Sequence, residues 1–423
     1  MTTATGPNET LAATGRRSAM ARAWSLARRL YWPLVLTLIA LNAWWAYDAR
    51  PLPDRRTLAG LVNAGKTEEA ESALRAWVRR SPHDAEIRVT LARLLAGRED
   101  YRGCAEQLRA VPFWSPRKPE ALYREAQTWL RIDRARDAEA ALRAYTRDDP
   151  NHPVEKPHLL DAQIELINLL TLENRWEQAR EVIWRAHDQV NPQSREEFLV
   201  MSLRTILERS SPRASVETLR RYLAADPEDD AARLALAVAL DELGRRSEAD
   251  GLLAECLRRR PSDRDVWVAR LEILHGRGDL DALGAALHEA PSTLNEDLAG
   301  YRAQFLTHQG RLEEAATAYT LAIPRRPGDA DLLYRYALVA HRLGRVEEER
   351  AATQKHKVWR LAREALPDVL GEYGREGRIG SATPARRVEL LGRLAELCRD
   401  LGMERDAREW GRLRDAERSK GRS

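Results

Sequence analysis

Cysteine is nearly absent from this chain: Cys104, Cys256 and Cys398 are the only three in 423 residues. Far apart and odd in number, they form neither a disulfide framework nor a metal-ligand cluster, and they read as small packing residues. Aromatic residues make up only 6%, and no run reads as a strand, which excludes a sheet-built core. Lysine is scarce too. Lys66, Lys118, Lys156, Lys355, Lys357 and Lys420 are the whole set, so arginine carries nearly all of the 69 basic charges, a bias that suggests a GC-rich, bacterial genome. The 65 acidic residues leave a formal net charge of +4, too small and too dispersed to predict a nucleic-acid partner.

Catalytic signatures are missing as well. There is no paired-cysteine motif, no zinc-hydrolase pattern and no Gly-x-Ser-x-Gly elbow. Gly371, Gly374, Gly377 and Gly380 recur by threes, yet no strand precedes them and no Gly-Lys-Ser/Thr follows, so they read as a linker and not as a phosphate loop. No catalytic residue, metal ligand or cofactor is expected, and no enzymatic activity.

What the chain has is helix-forming residues. Ala, Leu, Arg and Glu dominate, charged residues reach 32%, and the length exceeds what one core normally serves, which together predict a stack of helical units. One segment stands apart: residues 30–47 carry no charge and are flanked by Tyr31 and Trp32 at one end and Trp44, Trp45 and Tyr47 at the other. That run predicts an uncleaved, single-pass membrane anchor with its aromatic rings at the two headgroup layers. Arg16, Arg17, Arg22, Arg28 and Arg29 against the single acid Glu9 predict a cytoplasmic amino-terminal tail (1–29), with the bulk of the chain periplasmic or otherwise extracytoplasmic. Arg50, Arg55, Arg56 and Lys66 follow the run and nearly balance the count, which also admits a receptor facing the cytosol.

A period of about 34 residues governs the rest. Pro82, Pro116 and Pro150 are 34 apart, as are Pro227 and Pro261, with Pro192 and Pro327 fitting after small insertions or deletions. Ahead of them recur a Gly or polar turn residue and, five positions on, a small one: Gly65 and Ala70, Asp133 and Ala138, Asn174 and Ala179, Gly244 and Ala249, Gly310 and Ala315, Gly402 and Ala407. Each pattern predicts one helix ending at the turn and a second helix crossing closely at the small residue before proline stops it. A single pair cannot bury its apolar face, so neighbours must stack.

The pattern resembles the tetratricopeptide repeat family. The best copy runs from Asp230 to Pro261, with Leu236, Ala237, Leu240, Gly244, Ala249, Leu253, Cys256 and Pro261 in register, and Trp267 at the early aromatic position of the next unit. The resemblance implies an all-α, right-handed superhelical solenoid whose first helices line a concave groove for a protein or peptide. About nine units are expected over 48–366, then a glycine-rich linker (367–383), a capping helix pair (384–415) and a frayed tail (416–423). The units near 157–192 and 194–227 are divergent, with an inserted loop at 151–157.

Candidate groove residues follow from that resemblance. His275, His308 and His341 are spaced by 33 and fall near the ends of three successive first helices, where imidazoles would make binding respond to pH. Tyr334, Arg93 and Gln127 complete the expected set. Some relatives clamp a peptide carboxylate with Lys and Asn on three consecutive groove helices. Here the matching positions hold Arg55 and Ala59, Val89 and Arg93, Tyr123 and Gln127, so that clamp is not reproduced. Arg79-Arg80, Arg258-Arg259-Arg260 and Arg325-Arg326 sit at second-helix ends, where cations complement the helix dipole. The expected function is a membrane-tethered interaction scaffold for assembly or maturation of an envelope or secreted complex. The alternatives are a cytosol-facing receptor and a non-catalytic accessory subunit of a membrane enzyme.

Overall fold

Every regular element among the described residues is helical, as the composition predicts. In this computed structural model those residues are 35–39, 54–147, 156–191, 194–207, 212–326, 329–377 and 383–420. They belong to two compact units that divide between Arg117 and Lys118.

In the first unit, residues 35–39 are helical (α1), and α2 (Arg55–Asn63), α3 (Thr67–Arg80), α4 (Ala85–Gly97) and α5 (Tyr101–Arg109) follow, α2 to α5 each packing on the next. The expected anchor at 30–47 is corrected. No helix among the described residues is long and apolar enough to cross a membrane. Of that span only 35–39 is described, and five residues at ~1.5 Å rise cover a fraction of the ~30 Å hydrocarbon core; the remainder, with the expected tail at 1–29, lies outside the described residues. The single-pass placement with an extracytoplasmic solenoid, inferred from that run, falls with it.

The second unit begins with α6 (Lys118–Arg131), α7 (Ala135–Thr146), α8 (Leu159–Leu172), α9 (Trp176–Gln189), α10 (Arg195–Leu207) and α11 (Pro212–Ala225). It continues with α12 (Asp230–Glu242), α13 (Arg246–Arg259), α14 (Arg264–Gly276), α15 (Leu280–Glu289), α16 (Ala299–His308) and α17 (Leu312–Ala322). The last four are α18 (Ala330–Arg342), α19 (Val346–Glu372), α20 (Pro384–Asp400) and α21 (Glu404–Lys420).

One local device joins the helices of a pair. Gly65, Glu99, Asp133, Asn174, Gly244, Gly278, Gly310, Gly344 and Gly402 all take left-handed backbone, with φ between 57° and 76°. At Gly244 the N–H donates to the carbonyl of Asp241 (2.8 Å) and that of Arg245 to Leu240 (2.9 Å), and the same pair of bonds recurs at the other eight. This doubly bonded stop satisfies carbonyls that the helix leaves open and reverses the chain within a few residues. Five positions after most of these turns sits a buried small side chain, among them Ala70, Cys104, Ala138, Ala179, Ala249 and Ala315, which lets the helices of the pair cross closely. The next helix often starts on an aspartate that accepts backbone N–H bonds, as at Asp84, Asp229, Asp263, Asp279 and Asp329.

The divergent stretch after α9 redirects the stack. α10 packs on α9 and on α21, whereas α11 packs on α12, and Leu219 and Tyr222 of α11 join a core with Ala135 of α7 and Leu169 of α8. Arg221 of α11 pairs with Asp133 at 3.2 Å, and Arg134 donates to the carbonyl of Ala225 at 3.3 Å. The α12 side of the unit is thereby held against the α7 and α8 side.

The carboxy-terminal end departs from a simple linker and end cap. α19 runs through Pro367 to Glu372, followed by a π-helical turn at Tyr373–Gly377. Burial outweighs the proline's missing donor there, because Leu366, Val369 and Tyr373 are among the most enclosed side chains of the unit. The pair α20 and α21 does form, but it packs on α9 and α10 as well as on α19. Leu390, Leu394, Cys398 and Trp410 share one core with Trp184, Leu199 and Leu203. Arg387 to Glu196 (2.9 Å) and Arg405 to Asp188 (2.8 Å) tie the same elements together.

Candidate functional site

Two first helices form the floor of a cleft in the second unit. On α12 the residues Ala231, Leu234, Ala235, Val238 and Glu242 recur at three- and four-residue spacing and so share a face; on α14 Asp265, Val268, Ala269 and Glu272 do the same. Side by side they present an apolar stripe with acidic ends. The opposite wall comes from Arg136 and Glu139 of α7 and from the turn between α8 and α9, Glu173 to Gln178. The space between is about 820 Å³.

The α8–α9 turn is the charged centre of the cleft. Asn174 takes the left-handed conformation (φ 57°), which places Glu173 at the C-cap of α8 and Arg175 at the start of α9, back to back. Arg175 holds Glu139 through both guanidinium nitrogens (2.7 and 2.9 Å), Glu173 Oε2 (2.7 Å) and Gln178 Oε1 (2.7 Å). Arg143 adds a bond to Glu139 at 2.6 Å. Burial works against ionisation of Glu139, yet the hydrogen bonds and charge of Arg175 and Arg143 hold its carboxyl below the ordinary value.

Glu173 behaves differently. It is buried to 4% exposure, its Oε1 has no hydrogen-bond partner, and burial pushes its carboxyl up to about 7 despite Arg175. Asp229, just before α12, is buried to 1%: its Oδ1 accepts the Ala232 N–H at 3.0 Å while Oδ2 is unpartnered. Burial raises this carboxyl too, and the Asp229 charge adds to the upward push on Glu173. Two residues that line one cleft therefore each carry an enclosed, unpartnered carboxylate oxygen.

None of the six residues expected from sequence lines this cavity. His275 ends α14 half-buried beside Tyr301, held below its ordinary pKa first by burial and then by Arg335. His308 is exposed, and His341 pairs with Glu349 at 3.1 Å. Their equal spacing is not equal register: His275 and His341 stand three residues before their left-handed glycines, Gly278 and Gly344, but His308 stands two before Gly310. One residue is about 100° around a helix, so the three do not share a face. Tyr334 is exposed with its ring 5.4 Å from that of His356. Arg93 is exposed on α4 of the first unit, and Gln127 of α6 hydrogen-bonds Glu165 and Tyr123.

The arginine clusters serve as helix-end partners, Arg259 reaching Glu228 and Asp230, and Arg260 reaching Asp263 at 3.4 Å. Glu173, Arg175 and Asp229 were not anticipated. The available signal was an acid and an arginine flanking Asn174, a position already recognised as a turn.

Tetratricopeptide repeat models match residues 207–271 and, in two overlapping copies, 282–330 and 309–365. Those segments carry tetratricopeptide repeats. Repeats of this class are interaction scaffolds that present extended concave surfaces. No curated protein matches the chain in sequence. Among solved structures, a tetratricopeptide repeat protein from Parabacteroides merdae is 16% identical, with 56% of this chain and 91% of that one covered at a TM-score of 0.27. A human IFIT1 dimer with m7Gppp-AAAA is 14% identical, covering 78% and 90% at 0.33. The Cut9–Hcn1 hetero-tetramer of APC/C covers 85% and 79% at 0.31. None of these likenesses, all with TM-scores below 0.5, bears on what this chain binds.

Proposed function

We propose that this chain is a protein-interaction module without catalysis of its own, and that it takes an extended segment of a partner protein into the cleft between the α12 and α14 faces and the α8–α9 turn. The observation that carries this reading is the cleft's construction. Successive first helices offer Leu234, Val238 and Val268 as an apolar floor, and polar walls rise on both sides. Its volume of about 820 Å³ falls in the ~300–1,000 Å³ range of sites that remove a ligand from water. Apolar contacts along the floor would supply affinity, and the polar rim would select the sequence.

The test is a photo-crosslinking amino acid placed at Val238 in the full-length protein in cells, compared with the same group at Arg350, which is exposed on α19. A discrete protein partner trapped from position 238 and not from 350 is the expected result. Identical crosslinked bands from both positions would refute the cleft as the binding surface.

A further inference from the structure

The charge balance of the cleft points to the chemistry of the partner. Ten carboxylate side chains line it against five arginines. Each of those arginines is already held by a carboxylate: Arg136 by Asp226 (2.8 Å), Arg175 by Glu139 and Glu173, Arg260 by Asp263, Arg264 by Glu177 (3.2 Å) and Arg326 by Asp329 (3.6 Å). Each arginine of the lining thus has a carboxylate partner, although Arg260 Nε makes no hydrogen bond, and the surplus of the lining is negative. An acidic lining alone could be a solvated surface. Glu173 and Asp229 are not solvated: both are more than nine-tenths buried, both line the cleft, and each has one oxygen without a partner. A buried acceptor left open costs ~1–3 kcal/mol, more when charged, unless a donor comes to it.

We propose that the cleft recognises a basic segment of its partner protein, seating one lysine ammonium or arginine guanidinium against Glu173 Oε1 and Asp229 Oδ2. This inference rests on the cleft reading above and adds the partner's charge. A cation that reaches these two enclosed oxygens would supply the donor each lacks, and its positive charge would offset the repulsion that Asp229 exerts on Glu173. Arg175 remains committed to Glu139 and so does not compete for the place. The side chains flanking the seated cation lie along the Leu234, Val238 and Val268 floor.

The groups that act on Glu173 are Arg175 of α9, Glu139 of α7, Tyr222 of α11 and Asp229 at the start of α12. Protonation of Glu173 removes a charge that the cation needs. Binding therefore tightens as pH rises from 6 to 8.

The experiment is fluorescence anisotropy on the full chain with two labelled twelve-residue peptides, one alternating Lys and Ala, the other Glu and Ala. The Lys peptide is expected to bind at least about tenfold tighter than the Glu peptide, and less tightly as salt is raised. Glu173→Gln and Asp229→Asn each keep the side chain's size, and asparagine still caps α12. Each is expected to weaken the Lys peptide by about tenfold, while Glu347→Gln on the exposed start of α19 changes nothing. The wild-type preference is read without any variant, so a variant that fails to fold does not decide the outcome.

Equal or better binding of the Glu peptide overturns the proposal, as does a Lys preference that survives both substitutions. Spermidine binding that both substitutions abolish, with no peptide binding, would assign the site to a small polycation and also overturn it. If crosslinks at Val238 trap a partner while the charge preference is absent, the cleft reading stands and this inference alone falls.

Discussion

At the scale of single residues, Glu173 makes the sharpest demand. Its carboxyl is raised from 4.5 to about 7. Below pH 4.5 it is neutral in both folded and unfolded chains. As pH rises, the unfolded chain releases this proton first while the buried site keeps it, so stability is lost progressively up to about pH 7 and then levels off. The loss amounts to ~3–4 kcal/mol. Arg175, Glu139, Asp229 and Tyr222 set the field around it and are retained in Glu173→Gln. That substitution is expected to stabilise the protein at pH 8 relative to its effect at pH 5, read by urea unfolding at the two pH values. A difference from wild type that is the same at both would show that Glu173 ionises normally. This residue was invisible in the sequence because its identity is ordinary; only its burial in the folded unit makes it unusual.

Among the elements, the left-handed turns are the recurring part. Six of the nine are glycine, and Asp133 and Asn174 are residue types that tolerate positive φ. Glu99 is the exception, with φ 63° and an exposed side chain. A side chain in this conformation costs ~1–2 kcal/mol, partly offset because glycine gains freedom in the unfolded chain. Glu99→Gly is therefore expected to raise stability by ~0.5–1 kcal/mol, seen as a higher urea midpoint with unchanged slope; a lower midpoint would mean that the Glu99 side chain contributes something the turn needs. The six turns found in sequence were legible because the reversal and the close crossing five residues later both demand particular residue types locally. The other three were missed for the same reason. Glu99 is no turn former, and after Gly278 and Gly344 the fifth residues are Leu283 and Glu349, neither of them small.

At the scale of the whole second unit, stability depends on the return of its last helices. Trp410 is fully enclosed, its ring 5.3 Å from that of Tyr373, in the core that joins α19, α20 and α21 to α9 and α10. Trp410→Ala is expected to cost ~3–5 kcal/mol and to loosen α9 and α10, more than two hundred residues upstream, as readily as its own helix pair. Hydrogen exchange of α9 and α10 checks this. Protection there that is untouched by the substitution would mean that the carboxy-terminal pair stands as an independent cap.

The sequence by itself determined that the chain is helical, where most of its pairs turn, and that tetratricopeptide repeats are present, because periodicity, turn chemistry and close crossings are local requirements written within some 34 residues. Tertiary structure alone decided where the cleft lies and what it carries. Arg136, Glu173, Asp229 and Val268 stand in different repeats, and they meet because the divergent α10–α11 stretch turns α12 and α14 toward the α8–α9 turn. Burial, which transforms Glu173 and Asp229 and keeps α19 helical through Pro367, belongs to that assembled packing and not to any segment of the chain.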